Sequence, residues 1–576
     1  MHSTTRRTGR YVPATVKAPR VFPIAVALRA VFKEGYTFKH LRADVAAGVV
    51  VGIVALPLSM ALAIASGVPP QHGIFTAIVA GSLAAVTGGS RFNITGPTAA
   101  FVVLLAPISA RYGLGGLALA GLMAGVIMLV MGLARMGRLI QFVPHPVTTG
   151  FTTGIGVVIA TLQFKDLLGL SFVPSGDHIW ERVADIAGAL GTMNWADAAV
   201  GGVTLAVLIA WPRLSKRVPG PLVAVVVGAV AALLLARFAG AQAATIGARF
   251  GEFSAGLPMP VLPWNEGLPE GAPRGWELLR QLIGPAFAIA ALGSIESLLA
   301  AVVADGMAGT KHDPDSELVG QGLGNIAAPF FGGFAATGAI ARTATGIRAG
   351  ARSPLAGVVH AAFLLAALAA LAPLLALLPM AAMAALLLVV AWNMSDARHF
   401  LHMVRVAPRS DLAVLLICFG LTVAVGMVEA VGVGIVLAAL LFMRRMAEIT
   451  GARVIDTSGS HLREPLPEGV LLYEIAGPLF FGAADKAMDT IANSAQKLKL
   501  AVLDMSNVPA MDVTGLVALE SVLRKLRARG VRVIIGGLQH QPRKVFQKAE
   551  LVEIPGQLQF CTSLEHAIEE ARRTTS

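Results

Sequence analysis

The sequence predicts a polytopic α-helical membrane protein with fourteen transmembrane segments in a 7+7 inverted repeat, followed by a small α/β domain. Three observations predict this class: an apolar composition, one change of composition late in the chain, and two matching helix breaks. Of the 576 residues, 55% are hydrophobic and 14% are charged, and the mean hydropathy is +0.71. A soluble protein of this size cannot bury so much apolar surface. The 62 glycines suit closely packed membrane helices.

The composition changes after Arg444 and Arg445, where apolar runs give way to a mixture of charged and apolar residues. The predicted organisation is a cytoplasmic N-terminal arm (1–37), a transmembrane domain (38–445), a linker (446–467) and a soluble domain (468–576). The transmembrane domain divides into a first repeat (about 38–240), an external linker (about 241–280) and a second repeat (about 281–445). The N-terminal arm is basic but has no apolar core directly after it, so it is not predicted to be a signal peptide.

Fourteen hydrophobic elements precede that change, centred near residues 56, 79, 102, 124, 154, 204, 230, 293, 326, 342, 364, 383, 418 and 436. The loops support this number, because with the N-terminus inside, the basic clusters all fall on the cytoplasmic side. These clusters are Arg91, Arg135 with Arg138, Arg213 with Lys216 and Arg217, Lys311, Arg348 with Arg352, Arg398 with Arg405 and Arg409, and Arg444 with Arg445. The same pattern explains the net charge of +12 without a nucleic-acid partner.

The third element of each half contains a helix break. Thr95-Gly96-Pro97 interrupts the first half and Thr337-Gly338 the second, each shortly after a Gly-Gly pair. The twelve residues from Thr98 to Ser109 make about 18 Å of helix, against a hydrocarbon core of about 30 Å. We therefore predict two half-helices that start at mid-membrane, each preceded by extended chain. The alternative, in which Gly-Pro only kinks a complete helix, is weaker because the breaks match in both halves.

Two half-helix N-termini at mid-membrane predict an anion site made of backbone donors. Pro97 suits the first helical turn, where its missing N–H is not needed. The predicted donors are the N–H groups near Thr98, Ala99 and Ala100 in the first half, and near Ala339, Ile340 and Ala341 in the second.

Two charged residues are candidates for roles at this site. Arg342 either supplies the counter-charge of the anion or braces the second half-helix from behind. Glu296 lies deep inside an apolar segment, and burial favours its neutral, proton-carrying form, so we expect it to couple transport to protons. The alternative for Glu296 is a structural hydrogen bond or an ion pair, for example with Arg342.

The soluble domain alternates strands and helices, which predicts a small α/β fold. The sequence has no phosphate-binding Gly-x-x-x-x-Gly-Lys-Ser/Thr motif, which argues against an ATP-driven pump. It has no metal-ligand cluster and no nucleophile–base constellation, so we predict neither a metal nor an enzyme. Its two cysteines, Cys418 and Cys561, imply no disulfide framework.

The chain resembles the SulP family of anion transporters with a C-terminal STAS domain, over about residues 38 to 572. The segments GGSRFNITGPTAAFVV, AIARTATGIRAGARSP and AALLLVVAWNMSDARHF are especially similar to the bacterial DauA-type C4-dicarboxylate carriers. The resemblance implies the inverted-repeat fold of uracil permeases, with a core that moves against a gate as an elevator. It also implies a homodimer in the inner membrane, with the N-terminus and the STAS domain in the cytoplasm.

The resemblance places the anion between the third and tenth helix starts and adds Leu58 and Leu62 of the first helix, where relatives carry a glutamine and a phenylalanine. Ala341 stands where relatives carry a serine, so side-chain donors are lost and backbone donors remain. Glu296 matches a glutamate associated with proton coupling. Thr514 matches a residue that is phosphorylated in related STAS domains; the alternative is that Thr514 caps the following helix.

The function expected from these observations is proton-coupled uptake of a small anion, with a C4-dicarboxylate such as succinate, fumarate or aspartate first. The open alternatives are sulfate or bicarbonate with H⁺ or Na⁺ as the coupling ion, and a membrane sensor with the STAS domain as its output. No cofactor is expected, and an unidentified cytoplasmic protein is expected to dock on the STAS domain.

Overall fold

This computed structural model describes residues 23–138, 144–173, 175–176, 178–215, 218–251, 256–265, 267–269, 271–449, 451–455, 466–480 and 498–575. Most of the N-terminal arm, the side chains of Lys216 and Arg217 and much of the predicted linker 446–467 lie outside the described residues. The chain forms two units, Met1–Ile435 and Val436–Ser576.

The first seven elements lie on six helices, because two of them are segments of one long helix broken at Gly113. The helices are α2 (Phe38–Ala65), α3 (Pro70–Thr87), α4 (Ala99–Leu133), α5 (His145–Leu167), α7 (Trp195–Leu214) and α8 (Gly220–Phe238). Gly113 breaks α4 with φ 66° and ψ −167°, and a side chain there would collide with the carbonyl of Gly267. The first half-helix therefore extends to Tyr112, three residues beyond the predicted Ser109.

The second seven elements are separate helices. They are α10 (Trp276–Ala308), α11 (Pro314–Ala327), α12 (Ile340–Arg348), α13 (Leu355–Ala376), α14 (Met380–Ser395), α16 (Arg409–Ala424) and α17 (Met427–Ile449). All fourteen predicted centres fall within helices of the structure. Among the described residues, eight helical segments are long and apolar enough to cross a membrane by length and composition.

Four shorter helices connect these elements: α1 (Val26–Glu34), α6 (Ile179–Gly188), α9 (Ile246–Phe250) and α15 (Ala397–Val406). Asp396 starts α15 by accepting a hydrogen bond from the N–H of His399. Helix α1 is tied to the chain before the first break, because Glu34 and Arg91 form an ion pair. This pair fixes α1 beside the extended segment that leads to Thr95.

The helices of the first unit pack as two groups. Helices α2, α3 and α4 pack with α10, α11, α12 and α13, and both helix breaks lie in this group. Helices α5, α7, α8, α14 and α16 form the other group. This division corresponds to the core and gate that the resemblance implies.

The second unit contains a five-stranded mixed sheet in the order β3-β4-β5-β6-β7. The strands are β3 (Gly451–Ile455), β4 (Val470–Ala476), β5 (Leu500–Asn507), β6 (Arg532–Gly536) and β7 (Leu558–Cys561), and the helices are α18 (Val513–Ala528), α19 (His540–Lys548) and α20 (Leu564–Thr575). Strand β3 is antiparallel to β4 and the other pairs are parallel. The sequence did not predict β3 or β7, and β3 lies within residues 446–467. The sequence of residues 482–497 also suits a helix of this alternating α/β pattern, and these residues lie outside the described part of the chain.

Candidate functional site

The two helix breaks pair with each other. Strand β1 (Thr95–Gly96) is antiparallel to β2 (Thr337–Gly338), with Thr95 opposite Gly338 and Gly96 opposite Thr337. All four residues are buried. The extended chain predicted at mid-membrane is therefore a two-stranded sheet inside the protein, where its backbone groups find partners that lipid cannot supply.

A half-helix starts directly after each strand. Helix α4 starts after Thr98 and α12 after Ala339, and neither first turn is capped by a side chain. The first N–H groups of such helices carry the positive end of the helix dipole. The N–H of Ala339 is already engaged, because it donates to the carbonyl oxygen of Ile94 at 2.9 Å.

The predicted place of Pro97 is wrong by two residues. We predicted Pro97 in the first helical turn, but Thr98 is the N-terminal cap position and α4 begins at Ala99. Pro97 thus precedes the helix, and the useful group is its carbonyl oxygen. This oxygen accepts a hydrogen bond from Nη2 of Arg342 at 2.8 Å.

Arg342 connects the second half-helix to the first break. Its side chain is 2% exposed, and the bond to Pro97 braces the two breaks against each other. Nε and Nη1 have no hydrogen-bond partner among the described residues. Gly96 is required beside it, because a Cβ at that position would collide with Nη1. Both predicted roles therefore fit the geometry: one N–H group braces, and two buried donors remain for an anion or water.

Glu296 of α10 lies at the start of the first half-helix. Its Oε2 accepts a hydrogen bond from Oγ1 of Thr98 at 3.1 Å, and its side chain is partly exposed. The ion pair with Arg342 that we considered is not formed. This is the one hydrogen bond of the carboxyl group among the described residues, so Oε1 is not engaged by a protein donor there. A group that transfers protons needs such an accessible oxygen.

The remaining predicted site residues differ in exposure. Ile340 and Ala341 at the start of α12 are exposed, and Leu58 of α2 is partly exposed, whereas Leu62 is only 1% exposed. The side chains of Ala99 and Ala100 are buried. Helix α2, which carries Leu58, packs against α12. Leu62 packs inside this group of helices.

Sequence reasoning missed another glutamate of the site, Glu317 of α11, which is 2% exposed. Its Oε2 accepts from the N–H groups of Gly89 and Ser90, at 3.0 and 2.9 Å. Its Oε1 accepts from the amide groups of Asn93 (2.6 Å) and Gln321 (3.0 Å). These four donors occupy both carboxyl oxygens, whose lone pairs can accept them. Glu317 therefore fixes the approach to the first break, a role distinct from that of Glu296.

The network that starts at Glu317 continues to both strands. Gln321 donates to Oγ1 of Thr95 at 2.7 Å. On the other strand, the hydroxyl groups of Thr337 and Ser297 are 2.7 Å apart, and Ser297 Oγ accepts from the N–H of Gly338 at 3.0 Å. The crossing of β1 and β2 is therefore held by side chains of α10 and α11. The described residues contain no group of three or more His, Cys, Asp or Glu side chains that could hold a metal ion.

In the C-terminal unit, the alternative proposed for Thr514 is wrong. Asp512 caps α18, because its Oδ1 accepts the N–H of Gly515 at 2.7 Å. Thr514 is exposed in the first turn of α18. Its hydroxyl group is therefore not needed as the helix cap.

Comparison with known proteins decides the family. The family model described as the sulfate permease family matches residues 41–418, and the model of the STAS domain matches residues 464–567. The chain belongs to the sulfate permease family. The chain is 39% identical over 531 residues to the putative sulfate transporter YvdB of Bacillus subtilis, covering 92% of this chain and 97% of that protein.

A second relative is named for a different anion. The bicarbonate transporter BicA of Picosynechococcus is 30% identical over 535 residues, covering 89% of this chain and 92% of that protein. Among solved structures, the fold matches SLC26A9 with a TM-score of 0.83 at 18% identity, over 96% of this chain and 93% of that one. The transmembrane domain of a cyanobacterial BicA matches with a TM-score of 0.60 at 28% identity, over 70% and 98%.

These findings confirm the predicted fold class and the resemblance to the SulP family. The permease is a multi-pass membrane transporter of anions and not an enzyme. The resemblance to DauA-type dicarboxylate carriers stays a prediction.

Proposed function

We propose that this permease is a secondary active transporter that couples the uptake of a small anion to protons. The observation that carries the proposal is the crossing of the two breaks, where two uncapped half-helices start beside buried Arg342 and partly exposed Glu296. In this mechanism the anion is bound by the N–H groups at Thr98, Ala99, Ala100, Ile340 and Ala341, together with the N–H groups of Arg342 that have no partner among the described residues.

Glu296 links the proton to the anion in the proposed cycle. A protonated Glu296 removes a negative charge from beside Thr98 and so favours the arrival of an anion at the first half-helix. Release of the proton on the other side of the membrane restores the carboxylate and repels the anion. Na⁺ is the alternative coupling ion, since a carboxylate and a hydroxyl oxygen are also sodium ligands in chemical type.

Sulfate is the first candidate substrate, because the relative that is 39% identical is named a putative sulfate transporter. A C4-dicarboxylate such as succinate, fumarate or aspartate is the second. One observation favours it: exposed Ile340 and Ala341 and partly exposed Leu58 offer apolar surface to a carbon skeleton, which sulfate lacks. Bicarbonate is the third candidate, through the relatives named bicarbonate transporters.

The proposed setting is the inner membrane, with the N-terminus and the STAS domain in the cytoplasm, as the basic loops indicate. We further propose a homodimer that works by an elevator motion of the group containing both breaks. Leu58 and Leu62 then mark the first-helix side of the site, and Thr514 is an accessible candidate for phosphorylation. An unidentified cytoplasmic protein docking on the STAS domain completes the proposal.

Uptake into proteoliposomes tests the substrate and the coupling ion together. Labelled sulfate, bicarbonate and succinate are each offered with an inward proton gradient, with an inward sodium gradient and with neither. We expect saturable sulfate uptake that the proton gradient increases. Uptake of succinate without sulfate would select the second candidate, and dependence on sodium alone would overturn proton coupling. Accumulation of none of the three anions would contradict the proposed function.

A further inference from the structure

Helix α15 carries a basic face that the transport site does not use. Arg398, His402 and Arg405 follow one another at spacings of four and three residues, so they share one side of the helix. Arg409 adds a further positive charge at the start of α16. All four side chains are exposed. In the described part of the chain, none of the three arginines forms an ion pair.

Exposed apolar side chains flank this basic face. Leu401 is 55% exposed and Val406 is 63% exposed, and they project on opposite sides of the stripe by helical periodicity. Trp392, one turn before the end of α14, is 71% exposed. Basic residues beside apolar and aromatic ones are the composition of a helix that lies in a membrane interface.

The other side of α15 is attached to its neighbours. The ring of His399 contacts that of His145 in α5, with centroids 5.2 Å apart. The ring of Phe400 contacts that of Phe419 in α16 at the same distance. The orientation of α15 is therefore fixed by α5 and α16, and the basic face points away from the helices that hold it.

The connectivity places α15 at the membrane surface. It joins α14 to α16, two successive elements of the fourteen that the sequence predicts to cross the membrane, so we expect it to lie at the end that they share. The following segment, α17, returns to this same side before the chain enters the C-terminal unit. If the STAS domain is cytoplasmic, as proposed above, α15 faces the cytoplasmic leaflet.

We infer that the basic face of α15, formed by Arg398, His402 and Arg405, binds the headgroups of anionic phospholipids together with Arg409 at the start of α16. Three permanent positive charges with no ion-pair partner among the described residues match the phosphate groups of such lipids, and Leu401 and Val406 anchor the helix at the acyl boundary. The acids near this face are Asp396, which caps α15, and Asp411, which accepts a hydrogen bond from Ser410. Bound lipid would hold the group containing α5, α14 and α16 at a fixed height in the bilayer.

Fluorescence quenching by brominated lipids tests this inference on the full chain. The permease is reconstituted in phosphatidylcholine vesicles that contain either brominated phosphatidylglycerol or brominated phosphatidylcholine at equal share. The difference between the wild type and Trp392→Phe isolates the signal of Trp392 from the other five tryptophans. We expect stronger quenching of Trp392 by the anionic lipid. Equal quenching by the two lipids would overturn the inference.

Charge variants identify the residues responsible. Arg398→Gln, Arg405→Gln and Arg409→Gln combined should remove the preference for the anionic lipid, since each arginine contributes a factor of about five. The matched control combines Arg135→Gln, Arg138→Gln and Arg213→Gln, three exposed arginines of other loops on the same side. The control variant should keep the preference for the anionic lipid. If the control variant also loses this preference, the total charge of the protein, and not this face, attracts the lipid.

A salt titration of the wild type gives an answer even if the triple variant does not fold. Headgroup binding by exposed arginines weakens as the ionic strength rises, because the Debye length falls from about 10 Å at 0.1 M to about 3 Å at 1 M. We expect the excess quenching by phosphatidylglycerol to fall over this range. An excess that does not change with salt would show a purely apolar contact and would contradict the inference.

Discussion

The guanidinium group of Arg342 donates a 2.8 Å hydrogen bond to the carbonyl oxygen of Pro97, 245 residues earlier in the chain. This bond joins the two halves of the repeat at the point where both helices break. It also orients Nε and Nη1, which have no partner among the described residues, on a side chain that is 2% exposed. Arg342 therefore both holds the two breaks together and provides a buried positive charge beside them.

Replacement of Arg342 should weaken anion binding. Arg342→Ala removes two buried donors and a charge, and hydrogen bonds to charged groups contribute about 1.5–3 kcal/mol, so we expect affinity to fall on the order of tenfold or more. Arg342→Lys keeps the charge but loses the fork geometry, and should be intermediate. Calorimetric titration with sulfate and succinate measures this. Arg348→Ala, at the exposed end of α12, is the matched control. Unchanged affinity in Arg342→Ala would leave the residue with a bracing role only.

Replacement of Glu296 should separate binding from coupling. Glu296→Gln keeps the shape and can still accept the hydrogen bond from Thr98, but it cannot carry a proton. We expect anion binding to persist while uptake no longer responds to a proton gradient. Glu277→Gln, exposed at the start of the same helix, should behave like the wild type. Gradient-driven uptake at the wild-type rate in Glu296→Gln would assign coupling to another group.

Replacement of Glu317 should lower stability rather than change coupling. In Glu317→Gln, the new amide group faces donors at Asn93, Gln321 and the backbone, so at least one buried donor loses its acceptor. The expected loss is roughly 2–3 kcal/mol. Thermal unfolding in detergent, with Glu277→Gln as the control, measures it. A melting temperature equal to the control's would show that the network does not need the charge.

The sequence located the elements better than the contacts between them. All fourteen predicted centres lie within helices, because apolar runs and loop charges are local signals. The position of Pro97 was wrong by two residues, since the extended pairing with Thr337 and Gly338 delays the start of α4. Strands β3 and β7 were missed because they are short and gain their stability from neighbouring strands.

The site was predictable where it depends on the backbone and not where it depends on distant side chains. Matching Thr-Gly pairs revealed the crossing of the two breaks. Glu317 looks like an ordinary acid in the first turn of α11, and its donors Gly89, Ser90 and Asn93 lie 224 to 228 residues earlier. Only folding brings them together. An acid followed by glycines in the segment before the second break was the available signal.

A methyl group at Gly96 should disturb Arg342 without touching the anion donors. A Cβ there would collide with Nη1 of Arg342, so the guanidinium group must shift and the bond to Pro97 weakens. We expect Gly96→Ala to lower anion affinity in the same direction as Arg342→Ala. Gly202→Ala, in α7, is the control, because no atom outside its own stretch of helix lies within 4 Å of the position that the added methyl group would take. The double variant Gly96→Ala/Arg342→Ala tests the link. If its loss of anion-binding free energy equals the sum of the losses of the two single variants, the two positions are independent and the proposed link fails.

The contact between Tyr36 and Asp44 makes a pH dependence testable outside the spanning segments. Tyr36 donates to Oδ2 of Asp44 at 2.7 Å, and the same carboxylate accepts from the N–H groups of Arg352 and Ser353. Burial, and then the hydrogen bond to Asp44, raise the pKa of Tyr36 to about 12. The neutral phenol is thus favoured in the folded state, while the unfolded pKa is about 10.

This pKa difference sets the sign of the effect. Tyr36 stabilises the fold fully below about pH 10, and this contribution is lost as the pH rises through about 12. Thermal unfolding between these limits should therefore show a steeper fall for the wild type than for Tyr36→Phe, with the two curves converging at the alkaline end. Tyr112→Phe, whose hydroxyl group donates to Gln281 at 2.9 Å, controls for the loss of a phenol that has no carboxylate partner. Parallel curves for the wild type and Tyr36→Phe would show that the phenol does not support the junction of α2 with the chain after α12.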